Sequence, residues 1–345
     1  MKHAIAALAA ATCAAAAVTA SALELVQEWD KTFPLSGKVE HSKVTFKNRF
    51  GIELAADVYK PKGVEGPLPA IAVSGPFGAV KEQVSGLYAQ ELAERGFLAL
   101  AFDPSFTGES GGEARNATAS DISTEDFSAA VDYLTTRPDA DPDRLGIAGI
   151  CGLGGYALNA AALDVRIKAT LASTMYDMNR VEANGYFDKQ DTPADRRAIR
   201  ERLAAARTAD ARSGKAPAAT GGVPEVLPKD APWFFQGYHD YYKTPRGYHP
   251  RSVNSTDGFT VSSRLSLINT PLMAYAGEIE GAVMVLHGEK AHSRYFGEAA
   301  YAKLKGGNKE LVIVPGADHC DLYDGGGKDA IPFERIADFF RENLK

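Results

Sequence analysis

The sequence predicts an α/β fold, in which a mostly parallel central sheet carries helices on both faces. Short apolar runs, typical of buried strands, alternate with amphipathic helical segments along most of the chain. One such run, 144–150, ends in a glycine-rich turn at Cys151 that leads into a helical segment. The alternation is lost between about 177 and 280 and then resumes, which indicates an insertion after the sixth strand.

The first 22 residues have the layout of a cleavable secretory signal peptide. They combine a basic start, an alanine-rich apolar middle and an Ala-Ser-Ala end. We therefore expect a domain of residues 23–345, secreted or periplasmic, with no membrane anchor. The net charge of −6 is spread along the chain without a basic stripe, so a nucleic-acid partner is not expected. The sequence does not predict an oligomeric state.

The individual elements follow from the spacing of apolar residues. Residues 43–61 alternate apolar and polar side chains and predict two antiparallel strands. Continuous apolar runs predict buried strands at 68–75, 97–104, 144–150, 167–174, 282–289 and 310–316. Helical spacing predicts helices at 82–95, from 123 to just before Pro138, after Cys151, and at 194–212, 294–305 and 330–344.

The turn at Cys151 predicts the chemistry. A strand, a sharp turn with a nucleophile at its apex and a helix form the nucleophile elbow of the α/β-hydrolases, which needs small neighbours around a strained backbone. The usual motif has glycine two residues after the nucleophile, whereas this chain has Leu153 there and glycines at 154 and 155. Cys151 could instead be a small buried hydrophobe at the end of a strand. We favour the elbow and predict an α/β-hydrolase fold.

The loop after strand 68–75 is a candidate for the oxyanion hole. In α/β-hydrolases this loop supplies one backbone N–H, and the residue after the nucleophile supplies another. Pro76 has no N–H, so the candidate donors are Phe77 and Gly152. An ordinary strand-to-helix loop is the alternative.

A thiol reacts as a thiolate, so Cys151 needs a base. His319 lies just past the last predicted strand, where the order nucleophile, acid, histidine requires the base. The acid is open between two residues. Glu289 lies at the end of strand 282–289 and is slightly preferred, while Asp177 follows strand 167–174. The position of the usual aspartate holds Ala291.

The insertion, about 177–280, contains a charged helix, a loop rich in proline, glycine and alanine, and an aromatic cluster at 233–250. Hydrolases of this class place a lid at this point of the chain. The aromatic side chains therefore either shape an apolar pocket over the nucleophile or pack the insertion against the main domain, and the two roles are compatible.

Five segments together resemble the cysteine-type α/β-hydrolases of the polyketide-transferase-like group, relatives of dienelactone hydrolase. They are SGPFGAVKEQVSGLYA (74–89), GICGLGGYA (149–157), DYYKTPRGYHPRSVNS (240–255), HGEKAHSRYF (287–296) and GADHCDLYD (316–324). The resemblance covers nearly all of the chain after the signal. It implies the α/β-hydrolase fold, with Cys151 as nucleophile and His319 as base, and it fixes no substrate.

The leading hypothesis is an exported hydrolase that cleaves ester, thioester or lactone bonds through an acyl-cysteine. The alternatives are an acyltransferase using the same site and a non-catalytic ligand-binding protein of this fold. We expect a small-molecule acyl substrate and no cofactor. No metal site is predicted, since His287 and His292 have no convincing third ligand.

Two cysteines follow the signal, Cys151 and Cys320, and export would permit a disulfide between them. We expect two free thiols instead, because bridging them would pull His319 out of place. We also expect Cys151 to carry a stabilised thiolate and Cys320 to be a buried packing residue.

Overall fold

The structure, a computed structural model, describes residues 23–345, so the predicted signal peptide at 1–22 lies outside it. In this part of the chain, ten strands form. They are β1 (Val39–Lys47), β2 (Glu53–Pro61), β3 (Leu68–Ser74), β4 (Leu98–Phe102), β5 (Ala140–Ile150), β6 (Ile167–Ser173), β7 (Ala219–Gly221), β8 (Gly258–Thr260), β9 (Ala282–Gly288) and β10 (Lys309–Val314).

Eight of these strands form the central sheet in the order β1-β2-β4-β3-β5-β6-β9-β10. The β1–β2 and β2–β4 pairs are antiparallel. All the other neighbours, from β4 to β10, are parallel. The prediction of a mostly parallel sheet is confirmed, and β5, which leads to Cys151, lies in its middle.

The helices are α1 (Val84–Glu94), α2 (Ser120–Thr135), α3 (Gly152–Leu163), α4 (Met178–Asn184), α5 (Pro193–Ser213), α6 (Phe235–Tyr242), α7 (Arg294–Tyr301), α8 (Asp321–Asp324) and α9 (Phe333–Asn343). Short 3₁₀ turns lie at Tyr186–Asp188, Ser262–Asn269 and Ala276–Glu278. The predicted helix at 294–305 ends early, and α8 was not predicted because four residues are too few to show a helical period. Among the described residues, no helix has the length and apolar character needed to cross a membrane.

The sheet separates two hydrophobic cores. One face packs against α1 and α9, with Tyr88, Leu92 and Phe340 fully buried. The opposite face packs against α2 and α3, with Phe127 and Tyr156 fully buried. Because both faces are covered, the central strands are buried on both sides, which explains their continuous apolar sequence.

The chain between β6 and β9 is the insertion. Thr192 caps the start of α5, since its hydroxyl accepts from the N–H of Asp195 at 3.1 Å, and Gly214, in the left-handed conformation, caps the end. Only Leu203 of α5 is buried, so this charged helix lies on the surface. The short strands β7 and β8 pair with each other and not with the central sheet.

Candidate active site

Cys151 lies at the apex of a sharp turn between β5 and α3. Its φ of 54° and ψ of −125° are uncommon for a residue with a side chain. The surrounding chain holds this conformation, because the N–H of Cys151 donates to the carbonyl of Ser173 at 2.9 Å and its carbonyl accepts from the N–H of Tyr176 at 2.9 Å. Strain maintained by neighbouring structure is characteristic of functional sites.

The close approaches around this turn occur at glycines. A Cβ atom at Gly149 would lie 2.3 Å from the carbonyl oxygen of Leu153, and one at Gly155 would lie 2.4 Å from that of Tyr176. Leu153 itself is buried in the core between α3 and the sheet. The elbow therefore tolerates leucine two residues after Cys151, because the tight contacts fall at other positions.

The sulfur of Cys151 faces three hydrogen-bond donors. Burial raises the pKa of the thiol to about 11, while the hydroxyl of Tyr323 and the backbone N–H groups of Gly152 and Phe77, which face the sulfur and would donate to a thiolate, act to lower it. The expectation of a stabilised thiolate is wrong, because desolvation outweighs these three donors. The structure does bring Phe77 and Gly152, the candidate oxyanion donors, to the nucleophile.

The insertion holds the Phe77 loop in place. The side-chain amide of Asn254 donates to the carbonyl of Phe77 at 2.8 Å, and the hydroxyl of Ser252 donates to the carbonyl of Gly78 at 2.9 Å. The ring of Phe77 stacks on Phe259, with centroids 4.3 Å apart. Sequence reasoning assigned no role to Asn254 or Ser252, since the contact joins segments far apart in the chain.

Behind the same loop, Lys81 is fully buried among carboxylates. Its ammonium lies 2.6 Å from Glu82, 3.1 Å from Asp103 and 2.5 Å from Glu109, and its N–H donates to Asp103 at 2.7 Å. Removing one partner would leave uncompensated buried charge, which is strongly destabilising. This ion cluster ties the Phe77 loop to the end of β4.

Within residues 23–345, the ring nitrogens of His319 form hydrogen bonds with hydroxyl groups only. Its Nδ1 lies 2.6 Å from the hydroxyl of Ser293 and 2.9 Å from that of Thr174, and its Nε2 lies 3.1 Å from the hydroxyl of Tyr323. Burial holds the pKa of His319 well below its usual range, helped by the nearby His292 and His287. His319 is therefore a neutral imidazole in the resting site.

Neither predicted acid contacts His319, so this part of the sequence-based assignment is corrected. The side chain of Glu289 is directed to the surface and accepts from the N–H of Gly316 at 2.8 Å. The carboxylate of Asp177 caps α4 and accepts from the N–H of Arg180 at 2.9 Å. Both carboxylates are thus used by local backbone, and the hydroxyls of Ser293 and Thr174 take the place of an acid beside Nδ1.

A cavity of about 640 Å³ extends from Cys151 under the insertion. Aromatic side chains dominate its wall, namely Phe77, Tyr186, Phe234, Phe235, Tyr238 and Tyr242. Lys189 and Arg202 line its outer part, and Arg264 lies there paired with Glu182 at 3.2 Å. Of the aromatic cluster at 233–250, Tyr241 instead packs against Tyr323, so the cluster both lines the pocket and packs the insertion.

A second polar group adjoins this pocket. The hydroxyl of Tyr176 hydrogen-bonds to Nε2 of His292 and to the hydroxyl of Tyr238, the latter at 2.8 Å. His292 stacks on Phe234 with centroids 3.9 Å apart, and burial lowers its pKa to about 3. The group brings together residues from three separate segments, so sequence reasoning missed it.

Both cysteines are buried and free, as expected, and Cys320 packs in the core. Within residues 23–345, no group of three or more His, Cys, Asp or Glu side chains is arranged to hold a metal ion. His287 is fully buried, and neither of its ring nitrogens has a hydrogen-bond partner among the described residues.

The fold agrees with comparisons to known proteins. The α/β hydrolase GrgF from Penicillium sp. sh18 superimposes with a TM-score of 0.73 at 20% identity, covering 88% of this chain and 99% of that one. The fold is that of the α/β-hydrolases. The chain belongs to the X-Pro dipeptidyl-peptidase (S15) family, whose family model it matches over residues 51–288, and it is therefore an enzyme of α/β-hydrolase type.

Two relatives bear on the finer resemblance. The uncharacterized protein PA2218 of Pseudomonas aeruginosa is 57% identical over 324 residues, 93% of this chain and 86% of that protein. Its crystal structure superimposes with a TM-score of 0.90, 56% identity and coverage of 94% and 100%. Thiohydrolase aneE of Aspergillus aculeatus is 32% identical over 132 residues, 38% of this chain and 41% of that protein. The thiohydrolase similarity is thus distant, and the relation to dienelactone hydrolase stays a prediction.

Proposed function

We propose that this enzyme hydrolyses ester or thioester bonds of acyl substrates through an acyl-cysteine at Cys151. One observation carries the proposal: Cys151 lies at a strained turn, the N–H groups of Phe77 and Gly152 face its sulfur, and the sulfur opens into an aromatic cavity that Phe77 also lines. Donors beside the nucleophile are also beside the oxygen of a carbonyl that it attacks. A structural cysteine needs neither the strain nor the donors.

The proposed reaction has two stages. The sulfur attacks the carbonyl carbon, the thiol proton passes to Nε2 of His319, and Phe77 and Gly152 stabilise the oxyanion. His319 then protonates the leaving alkoxide or thiolate, which yields the acyl-cysteine. Water attacks this intermediate with His319 as base, and the released acid leaves a thiol and a neutral imidazole.

The cavity supports an acyl group with aromatic or long aliphatic character. Its wall is largely aromatic, and its volume fits a small organic molecule. The thiohydrolase name of a distant relative makes thioesters a natural choice for testing, and the name of the S15 family adds Xaa-Pro peptides. Ester and thioester leaving groups require less protonation than an amine, which suits the weakly basic His319.

The test is a substrate panel with detection of the intermediate. Purified protein is mixed with nitrophenyl esters, acyl thioesters and a Xaa-Pro anilide, and intact-mass spectrometry follows the adduct on Cys151. We expect a burst of product stoichiometric with enzyme and a matching acyl adduct on esters or thioesters. Turnover that persists in Cys151→Ala would contradict the proposal. Product formation that rises with an added amine or alcohol would instead identify acyl transfer, and ligand binding without any turnover would identify a binding protein.

We further propose that the enzyme is exported, on the basis of the layout of residues 1–22. Expression of the full chain in a Gram-negative host, followed by N-terminal analysis of the periplasmic fraction, tests this. A mature N-terminus near residue 23 supports export, and an uncleaved cytoplasmic chain contradicts it.

A further inference from the structure

The hydroxyl of Tyr323 adjoins both reacting groups. It lies 3.1 Å from Nε2 of His319 and faces the sulfur of Cys151, whose thiol pKa it acts to lower. Tyr323 and Cys151 line the same cavity. Tyr323 stands on α8, just after His319, and is fully buried. Tyr241 packs edge-on against its ring with centroids 5.0 Å apart, so the hydroxyl is held in place.

The hydrogen bonds at Nδ1 of His319 indicate which group donates in the contact between the hydroxyl of Tyr323 and Nε2. The hydroxyl of Thr174 donates to the backbone carbonyl of His319 at 3.3 Å, so its lone pairs are available to Nδ1 at 2.9 Å. On this basis we assign the ring proton to Nδ1, which makes Nε2 the acceptor. Tyr323 donates its proton to Nε2, which leaves its oxygen lone pairs available to the thiol of Cys151.

We propose that Tyr323 is a catalytic residue that relays the proton between Cys151 and His319. As the S–C bond to the substrate forms, the S–H bond breaks and its proton moves to the phenolic oxygen. The phenolic proton moves at the same time to Nε2. Tyr323 is neutral before and after the step, Cys151 becomes the thioether sulfur of the tetrahedral adduct, and His319 becomes an imidazolium. The inference rests on the proposed function, since it assigns a role in that reaction.

A concerted relay fits the burial of the site. Burial raises the pKa of Tyr323 well above its usual value, so a free phenolate does not accumulate. The neutral forms of Cys151 and His319 are likewise favoured by burial. Charge is therefore separated only when the substrate oxyanion and its donors form, and the hydroxyl of Tyr323 provides the path.

The direct test is Tyr323→Phe, which removes the hydroxyl and keeps the ring. We expect kcat to fall by about 100-fold or more, as for loss of a group that moves a proton in the transition state. In mixtures of H₂O and D₂O, the acylation rate of the wild type should depend on deuterium content along a curve, because two protons move. For Tyr323→Phe the dependence should become linear. Equal kcat and equal curvature in both proteins would overturn the relay.

Tyr59→Phe is the matched control. Tyr59 is a fully buried tyrosine on β2 whose hydroxyl has no hydrogen-bond partner within the described chain. Its loss should change neither kcat nor the isotope curve. If Tyr323→Phe does not fold, as judged by circular dichroism and urea unfolding, 3,5-difluorotyrosine at 323 replaces it. This residue keeps the hydroxyl but acidifies it, so a relay predicts a changed acylation rate, and an unchanged rate would overturn the proposal.

A readout without substrate separates this inference from the proposed function. Alkylation of Cys151 by iodoacetamide also requires the thiol proton to leave. We expect Tyr323→Phe to be alkylated about tenfold more slowly than wild type at pH 8, an effect of roughly one hydrogen bond to a charged atom. If no substrate is turned over but this difference appears, the hydrolase proposal fails and the link between Tyr323 and Cys151 stands. Equal alkylation rates would contradict the link itself.

Discussion

The hydroxyl of Ser293 lies 2.6 Å from Nδ1 of His319, at the side of the ring where Ser-His-Asp enzymes place a carboxylate. Within residues 23–345, no carboxylate forms a hydrogen bond or ion pair with this histidine. A hydroxyl can fix the ring and its tautomer but adds no negative charge. An imidazolium at His319 is therefore less stabilised than in a triad with an acid.

The first prediction concerns the hydroxyl group that lies beside Nδ1 of His319 in place of a carboxylate. Ser293→Ala should lower kcat about fivefold, since it removes one hydrogen bond to the ring, worth roughly 1 kcal/mol. Glu289→Gln and Asp177→Asn should each leave kcat within a few-fold of wild type, because neither carboxylate contacts His319. Steady-state kinetics on the best ester checks all three. A fall of about 10⁴-fold in Glu289→Gln, as in triads whose acid is amidated, would show that Glu289 reaches His319 during turnover.

The second prediction concerns the nucleophile. Cys151→Ala should abolish both turnover and the acyl adduct while leaving the fold intact, because a small side chain replaces another at the turn. Cys151→Ser should be much weaker than wild type, since the hydroxyl is far less acidic than the thiol. Cys320→Ala is the matched control, as Cys320 is an equally buried free thiol outside the cavity. Equal turnover in Cys151→Ser would contradict thiol catalysis.

The third prediction is the pH dependence of alkylation. Only the thiolate reacts, and burial raises the pKa of Cys151 to about 11. The rate of alkylation by iodoacetamide should therefore rise steadily from pH 7 and level off only near pH 11. Mass spectrometry of the labelled peptide gives the rate, and Cys151→Ser reports the background from Cys320. A plateau already at pH 7 would show that a stabilised thiolate exists after all.

The fourth prediction concerns the packing of the elbow. Gly149→Ala should destabilise the protein by about 1–3 kcal/mol, because the new Cβ would lie 2.3 Å from the carbonyl oxygen of Leu153. Gly307→Ala is the control, since a Cβ there has no atom within 4 Å. Urea unfolding measures both. Equal stability of the two variants would mean that the backbone around Cys151 relaxes at little cost.

The fifth prediction concerns the stability of the folded protein at acidic pH. Burial lowers the pKa of His287 to about 3, far below the 6.5 of an unfolded histidine. Between these values the unfolded chain binds the proton and the folded chain does not, so stability falls as pH decreases from 6.5 towards 3. His287→Leu should remove the part of this pH-dependent loss of stability that comes from His287, which is up to about 1.4 kcal/mol per pH unit. Burial raises the pKa of Asp126 to about 6, which has the opposite effect on stability as the pH falls. Asp126 is present in both wild type and His287→Leu, so it does not affect their comparison.

Urea unfolding of wild type and His287→Leu at pH 7, 6 and 5 makes this comparison. The wild type should lose more free energy of unfolding than the variant at each step down. Parallel losses would show that His287 is protonated in the folded protein or does not titrate in this range.

Secondary-structure elements whose sequence pattern lies within the element itself were predicted well. Continuous apolar runs located the central strands, because both faces of those strands are buried. Period-2 alternation located β1, whose residues are partly exposed. The helix α8 was missed, although its Tyr323 contacts both reacting groups. The prediction that Cys151 carries a stabilised thiolate was wrong. A motif shows which residue occupies the turn, but not how completely the insertion shields that residue from water.

The sequence by itself determined the α/β fold and the place of Cys151 in an elbow, and it selected His319 by chain order, since strand spacing and glycine positions are local properties. Only the tertiary structure decided which groups surround these two side chains. Ser293, Thr174 and Tyr323 reach His319 from three separate segments, while Glu289 and Asp177 are occupied by backbone N–H groups close to them in the chain or in the sheet. The physical reason is that a hydrogen bond or a pKa depends on distances and burial across the whole fold, and these are not encoded in the spacing of residues along one segment.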